Sequence, residues 1–218
     1  MMKNVKHGME CFRLKWNEKR CAIMHVTRGS LVSDGESMKI DGLKPINCLR
    51  EDSHYKFLGV RESVRLEDGL VLELEVKEFL RKVSVIWSSS LYDQAKAVPS
   101  NQYALPVLTY LMWAQMWPLA ELKQIDRDTR KIISGSGGNH PKGSIAALYL
   151  ARNNGGRGLK SVEEEYNNIK IKAAVKLYEN TDPLMTTVRE FEEKSVKSGR
   201  HSFVQDAQRF AEECKLHL

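Results

Sequence analysis

The sequence predicts an α+β chain that is mainly α: a small antiparallel β-sheet, then a helical bundle, then further helices. Three features predict it. Short apolar runs with β-compatible flanks, "CAIMHV", "MKIDGLKPI" and "HYKFLGV", lie within the first 60 residues. From Leu70 the apolar residues switch to helical spacing. No charged residue occurs between Lys96 and Glu121, and basic residues then crowd the stretch "ELKQIDRDTRK". The expected domains are 1–68 for the strands, 69–134 for the bundle and 135–218 for a linker with more helices. At 218 residues and 42% hydrophobic content, the chain can bury a sizeable core.

Taken in order, the Asp41-Gly42 pair supplies a turn signal between the flanks of the second run. Leu70, Leu74, Phe79, Val83, Ile86 and Trp87 then recur near the helical period, and Glu73, Glu75 and Glu78 fall early, where the positive end of a helix favours acids. The uncharged stretch predicts a second helix from Tyr103 to Met116, bent near Pro106 and ended by Trp117-Pro118. Its apolar residues surround most of the cylinder, so it is expected to be the buried centre of the bundle. A third helix, Leu119 to Ile133, places Leu122, Ile125, Thr129 and Ile132 or Ile133 on one face and Lys123, Arg127, Arg130 and Lys131 largely on others. That cationic set fits either a phosphate backbone or an ordinary solvated face. The run "SGSGGNHPKGS" breaks the chain, and "IAALYLARNNGGRGL" reads as a short helix with a Gly-rich turn. Ser161 and Glu164 stand in capping-box spacing, Asp182-Pro183 opens another helix, and "SFVQDAQRFAEECKLHL" forms the last.

Composition narrows the function classes. The net charge is +6, and residues 94–162 hold nine Lys/Arg against three Asp/Glu, which fits a polyanion partner. Cys11, Cys21, Cys48 and Cys214 are far apart and form no Cys-x-x-Cys pair, so they are read as reduced thiols of an intracellular protein with no metal site. The N-terminus lacks the apolar run of a secretory signal. Pro99, Pro106 and Pro118, with Asn101, Gln102 and Gln115, argue against a membrane span in the uncharged stretch. No Gly-x-Ser-x-Gly elbow, helical histidine pair or Gly-Lys-[Ser/Thr] loop marks a catalytic centre.

Three segments, in this order, resemble the reverse transcriptases of non-LTR retrotransposons. "HYKFLGV" resembles the strand beside the primer grip at the palm–thumb junction. "YALPVLTYLMWAQMWPLAELKQIDRDTRKII" is similar to the thumb, where a Pro-Val-Leu-x-Tyr helix is followed by a tryptophan and the family pattern Leu-Asp-Arg-x-x-Arg-Lys, with Ile125 here in place of the leucine. "HPKGSIAALYLARNNGGRGLKSVEEEY" is similar to the segment beyond the thumb. Upstream, "RLKWNEKRCAIMHVTRG" resembles the palm's motif D region, except that Arg13 replaces the usual glycine and Arg20 the usual lysine. An arginine there would be a poorer proton donor, because guanidinium scarcely deprotonates.

The resemblance implies a palm remnant, a thumb and the start of a linker. It implies RNA template and RNA–DNA duplex as partners, the missing polymerase domains as further partners, and a nuclear or cytoplasmic location. Lys123, Arg127, Arg130 and Lys131 become expected backbone contacts, with His140, Lys142, Arg152 and Arg157 as a second set. Tyr55, Lys56, Phe57, Leu58 and Gly59 become primer-grip-like. The family's magnesium-binding aspartates lie upstream of motif D, and this chain has twelve residues ahead of Arg13 and no Asp-Asp pair. Two-metal phosphoryl transfer needs such carboxylates, so the chain alone is expected to bind no cofactor and not to polymerise. The rival expectation is a domesticated helical module for protein interaction, with no nucleic-acid role.

Overall fold

The computed structural model describes Cys11, residues 22–23, 26–27, 30–31, 47–48, 55–57, 60–62, 68–140, 142–200 and 202–214. The chain divides into two units, Met1–Glu67 and Asp68–Leu218. In the first unit the described strands are β1 (Ala22–Ile23), β2 (Val26–Thr27), β3 (Ser30–Leu31), β4 (Asn47–Cys48), β5 (Tyr55–Phe57) and β6 (Val60–Glu62). They pair only two by two: β1 with β4 in parallel, β2 with β3 and β5 with β6 antiparallel.

The expectation of an α+β fold with an antiparallel sheet is therefore corrected. The described residues are mostly helical, and the strands among them join into nothing larger than three separate two-stranded ladders, so the fold they form is all-α rather than α+β. Ladders of two or three residues supply too few cross-strand pairs to bury a face, whereas strands that build a stable sheet usually run about five or six residues. "CAIMHV" is divided between β1 and β2, and "HYKFLGV" runs from β5 into the first residue of β6 rather than forming one strand. The run "MKIDGLKPI" lies outside the described residues, as do Arg13 and Arg20.

Among the described residues, the regular elements of the second unit are all helices. Helix α1 spans Asp68–Trp87 and buries Leu72, Phe79, Val83 and Trp87, while Leu74 turns outward. Helix α2 (Asp93–Pro99) continues through a π-helical turn, Ser100–Ala104, into α3 (Pro106–Met112). The two prolines explain this shape. Each lacks an N–H and crowds the preceding turn, so the backbone widens between them. The wide ladder closes where the Leu105 N–H donates to the Ser100 carbonyl at 3.0 Å, and Pro106 occupies the first position of α3, where no N–H is needed.

The second predicted helix thus needs two corrections. It stops at Met112 rather than Met116, and only its inner side is buried. Ala104, Leu105, Leu108, Leu111 and Met112 face the core; Tyr103, Tyr110 and Trp113 do not. Beyond Trp113 the chain leaves the helix to bury Gln115 and Trp117, whose indole N–H donates to Gln115 Oε1 at 3.1 Å.

Helix α4 (Leu119–Gly135) buries Leu122, Ile125, Asp126, Thr129 and Ile133. A short α5 (Ala146–Tyr149) and a 3-10 turn (Arg152–Asn154) lead to α6 (Val162–Glu179), α7 (Pro183–Lys197) and α8 (Phe203–Glu213). Tyr166 of α6 ties the core together. Its ring stacks on Trp117 at 6.4 Å and meets Phe210 of α8 edge-on at 6.3 Å, and its hydroxyl accepts from the Trp117 N–H. Such pairs add about 1 kcal/mol each beyond their burial. Two buried lysines donate to backbone carbonyls: Lys96 to Trp87, the last residue of α1, at 3.0 Å, and Lys170 to Gln115, in the irregular stretch after α3, at 2.7 Å. Among the described residues no helix is long and apolar enough to cross a membrane.

Candidate nucleic-acid interface

Helix α4 turns its apolar side to the core, so the remaining residues of "LKQIDRDTRK" are distributed by the helical period. Asp126 is the exception: it is 5% exposed. A buried carboxylate is costly unless hydrogen-bonded, and this one accepts three bonds from the start of α6. Ser161 Oγ donates at 2.6 Å, the Val162 N–H at 2.8 Å and the Glu163 N–H at 3.2 Å. The Ser161 oxygen in turn accepts from the Glu164 N–H at 3.4 Å, as the capping-box spacing predicts. The aspartate of the Ile-Asp-Arg-x-x-Arg-Lys stretch is thus a helix cap supplied from another helix, placed where the positive end of α6 favours an anion.

This lock fixes the angle between α4 and α6 and opens a cleft of about 390 Å³, lined by Lys123, Asp126, Arg127, Arg130, Tyr149, Ser161, Glu163 and Glu164. Three of the four cations predicted on this helix therefore share one cleft. Arg127 is exposed at its edge. Exposed Lys123 lies 3.5 Å from half-buried Glu163, a loose, solvated pair that contributes little. Arg130 is half-buried and donates to the Tyr149 hydroxyl at 3.1 Å. Burial pushes the Tyr149 phenol above its ordinary range, the Asp126 charge adds to the shift, and the bond from Arg130 offsets part of it. Lys131 lies outside the cleft and pairs with Asp128 at 2.8 Å. That bond, with another from Gln124, holds the Asp128 carboxyl below the usual range.

The second predicted set is not gathered there. His140 accepts the Lys142 N–H on its own Nδ1 at 3.1 Å, a local turn. Arg157 faces Asp93 at 3.4 Å, and the Arg152 Nε–H reaches the Arg157 carbonyl at 3.4 Å. The Gly-rich segment is a clasp. Gly155 and Gly158 have φ of +81° and +68°, and a side chain on Gly156 would collide with the Leu150 carbonyl. Asn101 of the π-helical turn holds the segment by donating to the Gly158 carbonyl at 2.7 Å and accepting the Lys160 N–H at 2.9 Å. Of the primer-grip-like residues, Tyr55, Lys56 and Phe57 form β5, and Leu58 and Gly59 lie outside the described residues.

Sequence reasoning missed Asp126, Tyr149 and Glu163 as parts of the cleft. Asp126 meets its partners 35 to 37 residues away, and only the Ser161-x-x-Glu164 spacing hinted that a helix N-terminus lay at the other end. Among the described residues no group of three or more His, Cys, Asp or Glu is placed to hold a metal ion. No known protein family, curated protein or solved structure matches this chain.

Proposed function

We propose that the chain is the thumb end of a non-LTR retrotransposon reverse transcriptase and that it grips the backbone of an RNA–DNA duplex through Lys123, Arg127 and Arg130. The observation that supports this reading is their convergence on one cleft beside the N-terminus of α6. Arginine and lysine set along a helix contact phosphates without reading bases, so the grip is independent of sequence and weakens with salt. The cleft carboxylates are not all rivals for phosphate, since Asp126 already accepts three bonds. The sequence has no Asp-Asp pair to match the family's magnesium-binding aspartates, and among the described residues no three His, Cys, Asp or Glu are placed to hold a metal ion. The isolated chain holds duplex and does not extend a primer. A nuclear or cytoplasmic setting follows from the resemblance alone.

One observation favours the rival reading, a helical module for protein contacts. Asp126, Glu163 and Glu164 face the same space as the three cations and offset their charge. Titration of a labelled RNA–DNA hybrid separates the two readings. With Lys123→Glu and Arg127→Glu combined, affinity falls by about tenfold or more at moderate salt while the helical circular dichroism is kept. Unchanged affinity in that variant supports the rival.

A further inference from the structure

The outer side of the helix that the sequence places at the bundle centre is open and aromatic. Tyr103, Tyr110 and Trp113 are 60%, 51% and 44% exposed. With Pro106 between the tyrosines, they fall at spacings of three and four residues, which puts them on one side of the rod. Aromatic rings left in water are costly, and this sequence has placed three of them in one line. Two lysines from neighbouring helices border the line. Lys82 Nζ of α1 sits 4.2 Å from the centre of the Tyr103 ring, and Lys176 Nζ of α6 sits 5.1 Å from that of Trp113.

We propose that this face binds single-stranded nucleic acid, with unpaired bases stacking on the three rings and phosphates taking Lys82 and Lys176. The inference rests on the proposed function for its ligand class and assigns a second surface, distinct from the α4 cleft. Charge complementarity selects the occupant. The stretch from Ala97 to Ala120 carries no carboxylate, and Glu78 of α1 is already bound by Arg81 at 2.7 and 2.8 Å. Ring chemistry selects its form. A duplex hides the faces of its bases, whereas an unpaired strand presents them, and stacking on aromatic side chains tolerates any sequence. Pro106 and half-buried Val107 lie between the rings.

The test uses the full chain, a labelled oligouridylate of about 12 nucleotides and an RNA–DNA hybrid of the same length. Tyr103→Leu with Trp113→Leu keeps apolar area and removes two rings. The pair is expected to weaken single-strand binding by tenfold or more and to leave hybrid binding within about twofold. Lys123→Glu with Arg127→Glu weakens the hybrid instead. Oligouridylate is expected to quench the exposed Trp113, and comparison with Trp113→Phe isolates that part of the signal, since Trp87 and Trp117 are buried and Trp16 is common to both proteins. Single-strand affinity retained by the leucine pair, or absent from the unaltered chain, overturns the inference; in the first case the face is a general apolar surface suited to a protein. Ring-dependent single-strand binding without any hybrid binding upholds this face and overturns the α4 grip.

Discussion

Asp126 and Asp182 do the same local chemistry in two very different places. Each aspartate accepts N–H bonds from the first turn of a helix, Asp126 for α6 and Asp182 for α7, where the Leu184 N–H donates at 2.7 Å. Asp126 is buried and reaches across from α4, so its cap also joins two helices. Asp182 is exposed and caps the helix that follows it. The helices differ in the same way: α6 buries Val162, Tyr166, Ile169, Ile171, Ala174 and Leu177, whereas none of α7's residues is buried and Leu184 and Phe191 stand 66% and 70% exposed. What a cap contributes depends less on its own bonds than on whether water can replace it and on what the capped helix holds in place.

The largest effect that would break this comparison is at the buried cap. Asp126→Ala leaves the Ser161 hydroxyl and two N–H groups of α6 without their acceptor, and is expected to lower unfolding free energy by about 3 kcal/mol or more in urea titration. A loss no greater than that at Asp182 would mean that the two caps are equivalent. Phe191→Ser exposes nothing new and should stay within about 0.5 kcal/mol, while Asp182→Ala costs about 1 kcal/mol. A larger cost for Phe191→Ser would show that α7 is covered in solution.

A smaller and pH-dependent effect sharpens the same contrast. Burial and the Asp126 charge raise the folded pKa of Tyr149, and burial raises that of Tyr166. In the unfolded chain a tyrosine ionises near pH 10, while the folded protein keeps the proton. The stability from these phenols is therefore full below about pH 10 and is lost as pH rises from there through the folded values. Tyr149→Phe should flatten part of that alkaline decline in thermal melts between about pH 9 and 11. An unchanged slope would mean that Tyr149 is more open to water than its place against Arg130 indicates.

The helices were legible where the apolar period and cap residues agree. Ser161, Asp182 and Ser202 each mark an observed helix start, and Leu122, Ile125, Thr129 and Ile133 are buried as the period predicts. The second helix misled because hydrophobicity says which residues can be buried, not which are. Tyr103, Tyr110 and Trp113 are amphipathic enough to remain outside. The sheet misled because β-compatible runs build a sheet only when their ladders are long enough to bury a face, and the described ones run two or three residues. The cleft was half-legible: the spacing of Lys123, Arg127 and Arg130 on α4 predicts neighbours, yet nothing local to Asp126 announces a partner 35 residues on.

The claim on which the functional account turns is that the outward cations of α4 neutralise phosphates. Arg127 tests it most cleanly, because it is exposed and lies outside the Asp126 lock and the Arg130 contact with Tyr149. The measurement is the slope of log affinity against log salt for an RNA–DNA hybrid, in the unaltered chain and in Arg127→Ala. The account predicts a negative slope that becomes shallower by about one unit in the variant. A flat slope in the unaltered chain, or the same slope in both, would contradict it.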